Sequence, residues 1–295
     1  MDSFIVEAAD RTARNWKYAE PGPLLPGDAR HKAMLSRVML DTFNPYKPAI
    51  IAWPKLDRAA HARLMSLPIW DIAVQTEGRA RLRILSYARS VEDQLLREAL
   101  ELMGFEEGRH KAALSHLVTA YGIELKPEPD YVEPRDPEWG FLVTGYSECI
   151  DSFFAFGLFD IAARSGYFPE ALAETFEPVI QEEARHILFF VNWIAWHKAN
   201  MPCWRRPWFF LKTLAVWSFL IRERIGLARD VGGGPSNANF TVSGGTSLAA
   251  GELDTLDLMN ICLAENDRRL LRPVTVPRLV RLALAMARRL RRVRR

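Results

Sequence analysis

Two segments of the chain place a glutamate and a histidine three residues apart inside an apolar helical pattern. Glu107 and His110 interrupt one such stripe, and Glu183 and His186 interrupt a second. Residues three apart lie on one face of a helix, so each glutamate and its histidine can reach the same point. Random placement gives about 0.4 such pairs in a chain of this composition, so chance does not explain two in register with apolar stripes.

Two further helical stripes contain a single acid each. Glu77 is the only charge on one stripe and Glu148 the only charge on the other, and they precede the glutamates of the two pairs by 30 and 35 residues. Such separations suit antiparallel helix pairs in which four acids meet at one level. Glu92 is the nearest alternative to Glu77, but it lies near a helix start, which favours Glu77.

Four carboxylates and two imidazoles inside an apolar bundle require positive charge, because they would otherwise be protonated or prevent folding. Two divalent ions meet this requirement. Oxygen-rich sites with one nitrogen per metal suit iron better than zinc or copper, and manganese or a mixed iron and manganese pair has similar preferences. The predicted metal ligands are Glu77, Glu107, His110, Glu148, Glu183 and His186.

Other polar residues lie next to these ligands in sequence. Glu106 and Glu182 fall off the apolar stripes, and we expect them either to be solvated or to contact the ligands. Asp151 follows a predicted ligand by about one turn and could orient a histidine through its second ring nitrogen. Arg109 and Arg185 are expected to form ion pairs on the bundle exterior.

The pattern predicts an all-α fold built on a four-helix bundle with one long crossover and with helical N- and C-terminal extensions. The four bundle helices are predicted at 68–89, 91–122, 138–166 and 170–199. The stretch 123–137 holds four prolines, so it is not a continuous helix, but it is long enough to cross the bundle. We divide the chain into an N-terminal extension (1–66), the bundle (67–200), an apolar fifth helix (201–230), a flexible linker or loop (231–251) and a C-terminal helical segment with a basic tail (252–295).

The sequences EEGRH at 106–110 and EEARH at 182–186, with Glu77 and Glu148 on the other two helices, resemble the ferritin-like di-iron carboxylate superfamily. The resemblance covers about 68–199 and implies one Glu from each of two helices and Glu-x-x-His from each of the others. It also implies an oxygen-dependent oxidoreductase of the hydroxylase or oxygenase type. It assigns no catalytic residue beyond the ligands.

Aromatic residues near the predicted site favour an apolar or lipid-like substrate, because some of them could line its pocket. They are Phe153, Phe154, Phe156, Phe159, Phe189 and Phe190. The chain has no cysteine motif for an iron–sulfur cluster and no flavin or nicotinamide fingerprint, so electrons are expected from a ferredoxin or flavin reductase. Two alternatives stay open: iron handling, as a ferroxidase, store or peroxide reductase, and a membrane-associated binding protein with a structural metal site.

The flanking segments suggest where the protein resides. Residues 207–221 are apolar and flanked by arginines, but are shorter than the ~20 residues that span a bilayer, so they form either a fifth packed helix or a helix lying in a membrane surface. Residues 278–295 carry eight arginines and no acid. Membrane-surface contact through 207–221 and 278–295 is one expectation, and a solvated or disordered end is the alternative for 278–295. Nucleic acid is not expected, because no aromatic residues interleave the tail arginines.

The bulk composition is that expected of a folded globular protein inside the cell. The chain is 49% hydrophobic and 25% charged, which is ordinary for a soluble globular protein. Three widely spaced cysteines give no disulfide framework, and the N-terminus has no secretory pattern. The expected location is cytoplasmic or peripheral at the membrane, and a homodimer is a further expectation.

Overall fold

The computed structural model describes residues 3–18, 24–46, 52–67, 69–231 and 255–270. These residues form nine α-helices, one short 3₁₀ helix at Cys203–Arg205 and no strand, which confirms the predicted all-α class. The helices are α1 (Ser3–Arg14), α2 (Ala29–Asp41), α3 (Arg58–Met65), α4 (Trp70–Arg89), α5 (Gln94–Ala120), α6 (Pro137–Ser165), α7 (Glu170–Asn200), α8 (Arg206–Val231) and α9 (Thr255–Leu270).

Four long helices, α4 to α7, surround a common interior. α4 contacts α5 and α6, and α7 contacts both α5 and α6, so the contacts close into a ring. Short joins make α4 and α5 one antiparallel hairpin and α6 and α7 another. Gly166, at the C-cap of α6 with a φ of 65°, supplies the left-handed turn between α6 and α7.

Aspartates fix where several helices begin. Asp93 is the N-cap of α5 and accepts a hydrogen bond from the backbone N–H of Leu96 (3.0 Å). Asp136 caps α6 in the same way through Trp139. An N-cap side chain satisfies one of the first unpaired N–H groups of a helix. These caps explain why α5 starts at Gln94 rather than at the predicted residue 91.

The segment between the two hairpins runs along α4 from one end to the other. The backbone N–H of Lys126 donates to Asp71 in the first turn of α4 (2.7 Å). The ring of Tyr131 lies over the central glycine of α4, and Glu133 pairs with Arg89 in its last turn. This confirms that the proline-rich stretch crosses the length of the hairpins.

Three other helices cover the outside of α5, α6 and α7. α2 contacts α5 and α7, α8 contacts α6, and α9 contacts α6 and α7. The predicted fifth helix is therefore packed on the others, although it is longer than 207–221. Of the predicted linker 231–251 only Val231 is described, at the end of α8, and the tail 278–295 lies outside the described residues. Across the described ranges, no helix combines the length and apolarity that crossing a bilayer requires.

Aromatic side chains fill the interior at the end of the ring where α4 finishes and α6 begins. Tyr87 stacks on Phe141 with ring centroids 4.7 Å apart, and Trp193 meets both rings edge-on. Phe190 contacts Phe141 as well (5.6 Å). Edge-to-face and offset pairs add stability beyond buried area. The closeness of α6 to α7 here depends on Gly145, where an added Cβ would overlap the Phe190 ring.

We expect Gly145→Ala to destabilise the protein by about 1–3 kcal/mol, because overpacking outweighs the better helix propensity of alanine. Gly226→Ala in α8 is the matched control, since nothing lies within 4 Å of a Cβ added there. Denaturant unfolding at pH 7 measures both changes. Equal effects of the two substitutions would contradict the close contact at Gly145.

Candidate metal centre

The four central helices bring all six predicted ligands into two groups of donor atoms. Glu77, Glu107, His110 and Glu183 supply one group, and Glu107, Glu148 and His186 supply the other. Within each group, one ligand atom per residue lies within 4.8 Å of all the others. Glu107 belongs to both groups, so its carboxylate lies between them.

The imidazole Nδ1 atoms of both histidines point into this shared space. Nδ1 of His110 lies 3.0 Å from Oε1 of Glu183 and 3.7 Å from Oε2 of Glu77. Nδ1 of His186 lies 2.9 Å from Oε1 of Glu107. Each histidine therefore approaches the acid of the other Glu-x-x-His pair, because α5 and α7 run antiparallel.

Several of these donor atoms are buried without a hydrogen-bond partner. They are Nδ1 of His110, Nδ1 of His186, Oε1 of Glu107 and both carboxylate oxygens of Glu148; the two Nδ1 atoms are close to glutamate oxygens (3.0 and 2.9 Å), but the angles do not suit a hydrogen bond. Buried polar atoms are nearly always hydrogen-bonded, since leaving one unsatisfied costs about 1–3 kcal/mol. Five unsatisfied atoms that converge from three helices fit a site for cations.

The opposite nitrogen of each histidine is held by a buried glutamate. Nε2 of His110 donates to Oε2 of Glu182 (2.8 Å), and Nε2 of His186 donates to Oε2 of Glu106 (2.9 Å). A carboxylate acceptor keeps a proton on Nε2, so that Nδ1 is the atom that would bind a metal once it has lost its own proton. Of the two outcomes expected for Glu106 and Glu182, contact with the ligands is therefore the one observed. Neither glutamate is solvated.

The two arginines lie inside the structure, contrary to the prediction that they pair on the exterior. Arg109 bonds to Glu182, and Arg185 bonds to Glu106, with side chains only 9% and 14% exposed. Both arginines are buried because α2 packs over them, and the sequence patterns of α5 and α7 alone do not show that contact.

The end of α2 and the residues just after it accept further hydrogen bonds from both guanidinium groups. Arg109 donates to the backbone carbonyl of Asn44 (2.9 Å). Arg185 donates to Thr42 Oγ1 (2.9 Å) and to the carbonyl of Met39 (3.3 Å). Carbonyls at a helix C-terminus carry partial negative charge, which favours a nearby cation. The N-terminal extension thus completes the environment of the cluster.

Asp151 does not orient a ligand histidine, so that prediction is wrong. Its carboxylate is 55% exposed and pairs with Arg224 of α8 (2.6 Å) and with Ser147. One turn beyond Glu148 is the right spacing on α6, but the side chain points away from the interior. The repeated order Glu-Glu-x-Arg-His at 106–110 and 182–186 was the better signal, since each residue of it has the same role twice.

Electrostatics distinguish Glu107 and Glu148, which face the shared space, from Glu106 behind His186. Burial and the charges of Glu77 and Glu183 raise the pKa of Glu107 well above its usual value. Burial and the charge of Glu107 do the same to the pKa of Glu148. These raised values follow from crowding like charges in a dry interior.

The acid behind His186 behaves in the opposite way. Burial alone would raise the pKa of Glu106, but Arg185 and His186 lower it to about 2. For His186, burial lowers the pKa and Glu106 more than offsets this, so the pKa is raised. Glu106 is therefore anionic at neutral pH and is paired with Arg185, whereas Glu107 and Glu148 need an added cation in order to ionise.

One side of the cluster is less deeply buried than the rest. The side chains of Glu77 and Glu183 are 18% and 15% exposed, whereas Glu107 is 2% exposed and both histidines are fully buried. The side chains of the cluster on α4 and on the first half of α7 thus extend closer to the surface than those of α5. The side facing α2 is closed by the arginines.

We expect Glu182→Gln to lower the affinity for ferrous ion roughly 10–100-fold, because the amide no longer holds His110 through a charged hydrogen bond. Glu174→Gln, at an exposed position of the same helix, is the matched control. Anaerobic competition with a chromophoric chelator measures both affinities. Unchanged affinity in the Glu182 variant would show that this glutamate does not support a ligand.

The raised pKa values predict a pH dependence. An acid whose pKa is raised on folding stabilises the folded state below its usual value, near 4.5, and this contribution is lost as the pH rises. Metal-free protein should therefore lose stability towards alkaline pH, and metal loading should release protons.

The free energy of unfolding, measured between pH 5 and pH 9 with a chelator present, checks the predicted loss of stability towards alkaline pH. The Glu148→Gln variant is the comparison. The variant should become progressively more stable relative to the unmodified protein as the pH rises. A pH-independent difference between the two would mean that Glu148 is already ionised without metal.

The chain was compared with protein-family models, with curated proteins and with solved structures, and none of them matches it. What indicates the chemistry of this cluster is its own donor set. That set consists of two imidazoles and four carboxylates in two overlapping groups, which could bind metal.

Proposed function

We propose that the chain is a ferritin-like protein that binds two iron ions and acts as an oxygen-dependent oxidoreductase of the hydroxylase or oxygenase type. The observation that carries this proposal is the convergence of five buried, unsatisfied donor atoms from α5, α6 and α7. The ring of contacts among α4 to α7 and the long crossover support the ferritin-like assignment.

The donor set fits two cations better than one. The two groups share Glu107, and each contains a single histidine. Oxygen-rich coordination with one imidazole per ion suits iron or manganese. Two divalent ions also bring four positive charges to an interior in which Glu107 and Glu148 have raised pKa values, which removes the energetic cost of ionising them.

When bound and reduced, such a metal pair supplies the redox chemistry through which molecular oxygen oxidises an organic compound. The protein's residues hold the ligands in place and exclude bulk water. Glu106 and Glu182 fix the two imidazole rings, and the arginines balance the charge of these acids. Preorganised surroundings of this kind avoid reorganisation during a reaction.

The substrate is proposed to be an apolar or lipid-like small molecule. Phe153, Phe156, Phe189 and Phe190 are buried in the core, whereas Phe154 and Phe159 are half-buried on α6. The apolar interior to which these side chains contribute favours substrates without charge. Since the three cysteines are free and separate, electrons are proposed to come from an external ferredoxin or flavin reductase.

Iron handling is the second candidate, as a ferroxidase, iron store or peroxide reductase. The partial exposure of Glu77 and Glu183 favours it, because ions need a route in and out of a site that exchanges iron. Gel filtration distinguishes the two. A large shell that accumulates many irons per chain indicates storage, whereas a monomer or dimer with two irons indicates the oxidoreductase.

The decisive test is anaerobic loading with ferrous ion, followed by an optical spectrum before and after oxygen is added. We expect about two irons per chain and a new near-ultraviolet or visible band after oxygenation. Glu107→Ala and His186→Ala should each lower the iron content and remove the band, since each deletes a donor atom.

His116→Gln is the matched control, because His116 is exposed on α5 and belongs to neither donor group. This variant should keep the iron content and the band. Two irons bound by both alanine variants, or a spectrum indifferent to oxygen in the unmodified protein, would contradict the proposal.

A further inference from the structure

The solvent side of α8 is apolar, which is the reverse of an ordinary surface helix. The exposed large side chains there are Trp208, Phe210, Leu211, Leu214, Phe219, Ile221 and Ile225, and each is between 39% and 69% exposed. Trp204, in the 3₁₀ turn just before α8, is 69% exposed as well. Contiguous exposed apolar surface of this kind marks an interaction site.

The orientation of α8 is fixed by polar contacts on its inner side. Near its start, Lys212 bonds to Asp136 (2.6 Å) and to Glu138 (2.7 Å) at the beginning of α6. Near its end, Arg224 bonds to Ser147 (2.7 Å) and Asp151 (2.6 Å). Rolling the helix to bury its apolar side would break both sets of contacts.

Apolar contacts on the same inner side reinforce this orientation. Phe209, Val216 and Leu220 are buried, and Trp217 packs against Tyr146 of α6 with ring centroids 5.2 Å apart. The outward side chains therefore stay outward in the folded protein. The apolar face is thus a stable feature of the folded protein's surface.

The exposed charged side chains within 201–226 are all positive. Arg205, Arg206 and Arg222 are exposed at its two ends, whereas the one acid in 201–226, Glu223, is half-buried and paired with Arg224. A tryptophan-bearing apolar face with flanking arginines is typical of a helix that lies in the interface of an anionic membrane.

Lys198 adds to the positive charge at the start of the helix. Together with Arg206 it borders a surface pocket of about 360 Å³ whose other walls are Ala199, Phe209 and Phe210. Two cations beside phenyl rings offer a phosphate group charge and an acyl chain contact. The pocket thus adds two cations and phenyl surface beside the start of the apolar face.

We propose that the outward face of α8, including Trp204, docks the protein on an anionic phospholipid bilayer without crossing it. A second copy of the chain is a poorer occupant. Two-fold pairing of this face would bring the arginines at its ends against those of the other copy, and like charges repel. A bilayer surface with anionic headgroups complements the same arginines.

Docking in this way sets how far the cluster of predicted metal ligands lies from the membrane. α6 lies directly beneath α8 and carries Glu148, so one helix layer, about 10 Å, separates the membrane-facing side from the helix that supplies this donor. An apolar compound dissolved in the bilayer would then lie near the protein's interior. The docking itself does not depend on the metal or on the proposed oxidation.

Co-sedimentation of the full chain with vesicles tests the proposal. We expect binding to phosphatidylcholine vesicles that contain phosphatidylglycerol and weak binding to phosphatidylcholine alone. The triple variant Leu211→Ser, Leu214→Ser, Ile221→Ser should bind anionic vesicles roughly tenfold more weakly or worse, because it removes apolar area from the docking face.

The triple variant Leu25→Ser, Met65→Ser, Val132→Ser is the matched control, since these three side chains are exposed outside α8 and should not affect vesicle binding. Arg205→Gln with Arg222→Gln should weaken binding to anionic vesicles and leave binding to phosphatidylcholine alone unchanged. Helical circular dichroism and iron content should stay unchanged in all variants, which separates this test from that of the metal site.

Three outcomes would overturn the proposal. The first is failure of the unmodified chain to sediment with anionic vesicles. The second is binding that the α8 variant leaves intact, which would place the contact elsewhere, such as in the arginine-rich tail. The third is sedimentation velocity showing a dimer that the α8 variant dissociates, which would assign the face to a second copy.

Discussion

The burial of ionisable groups between α5 and α7 is the constraint on which the rest of this structure depends. Two imidazoles and several carboxylates lie where a helical protein ordinarily places leucine or phenylalanine. Each of these groups is costly to bury without a partner. The structure deals with the outer acids by means of its own arginines and leaves the inner acids facing one another.

This arrangement explains why the chain needs more than four helices. The guanidinium groups that neutralise Glu106 and Glu182 must themselves be satisfied, and α2 supplies carbonyl and hydroxyl oxygens for that purpose. The antiparallel crossing of two Glu-Glu-x-Arg-His sequences produces a local two-fold relation, in which each histidine is held by the acid of the opposite motif. A change in either motif therefore affects the other half of the cluster.

Much of this could be read from the sequence, because buried charge inside a 3.6-residue repeat is conspicuous. The helices α4 to α7, the crossover and the gathering of the six predicted ligands follow from periodicity, prolines and the spacing of Glu and His. The apolar fifth helix predicted at 201–230 corresponds to α8 (Arg206–Val231), of which the apolar run 207–221 is only a part.

The surroundings of the ligands were harder to predict because they depend on tertiary contacts. Nothing local to Arg109 or Arg185 shows that α2 covers them, so they read as surface residues. The prediction for Asp151 was wrong because it, too, depended on a contact with another helix. Its spacing from Glu148 was suitable, but Arg224 of a distant helix draws it outward. The spacing of two residues along one helix shows whether they share a face of that helix. Which residues they contact depends on the helices packed against that face.

Each donor group takes residues from both helical hairpins. One combines Glu77, Glu107 and His110 of the first hairpin with Glu183 of the second, and the other adds Glu107 of the first to Glu148 and His186 of the second. An ion held by either group would act as a cross-link between the hairpins, which the chain otherwise joins only through the crossover. Their separation would then require metal release, so bound metal would slow unfolding as well as stabilise the folded state.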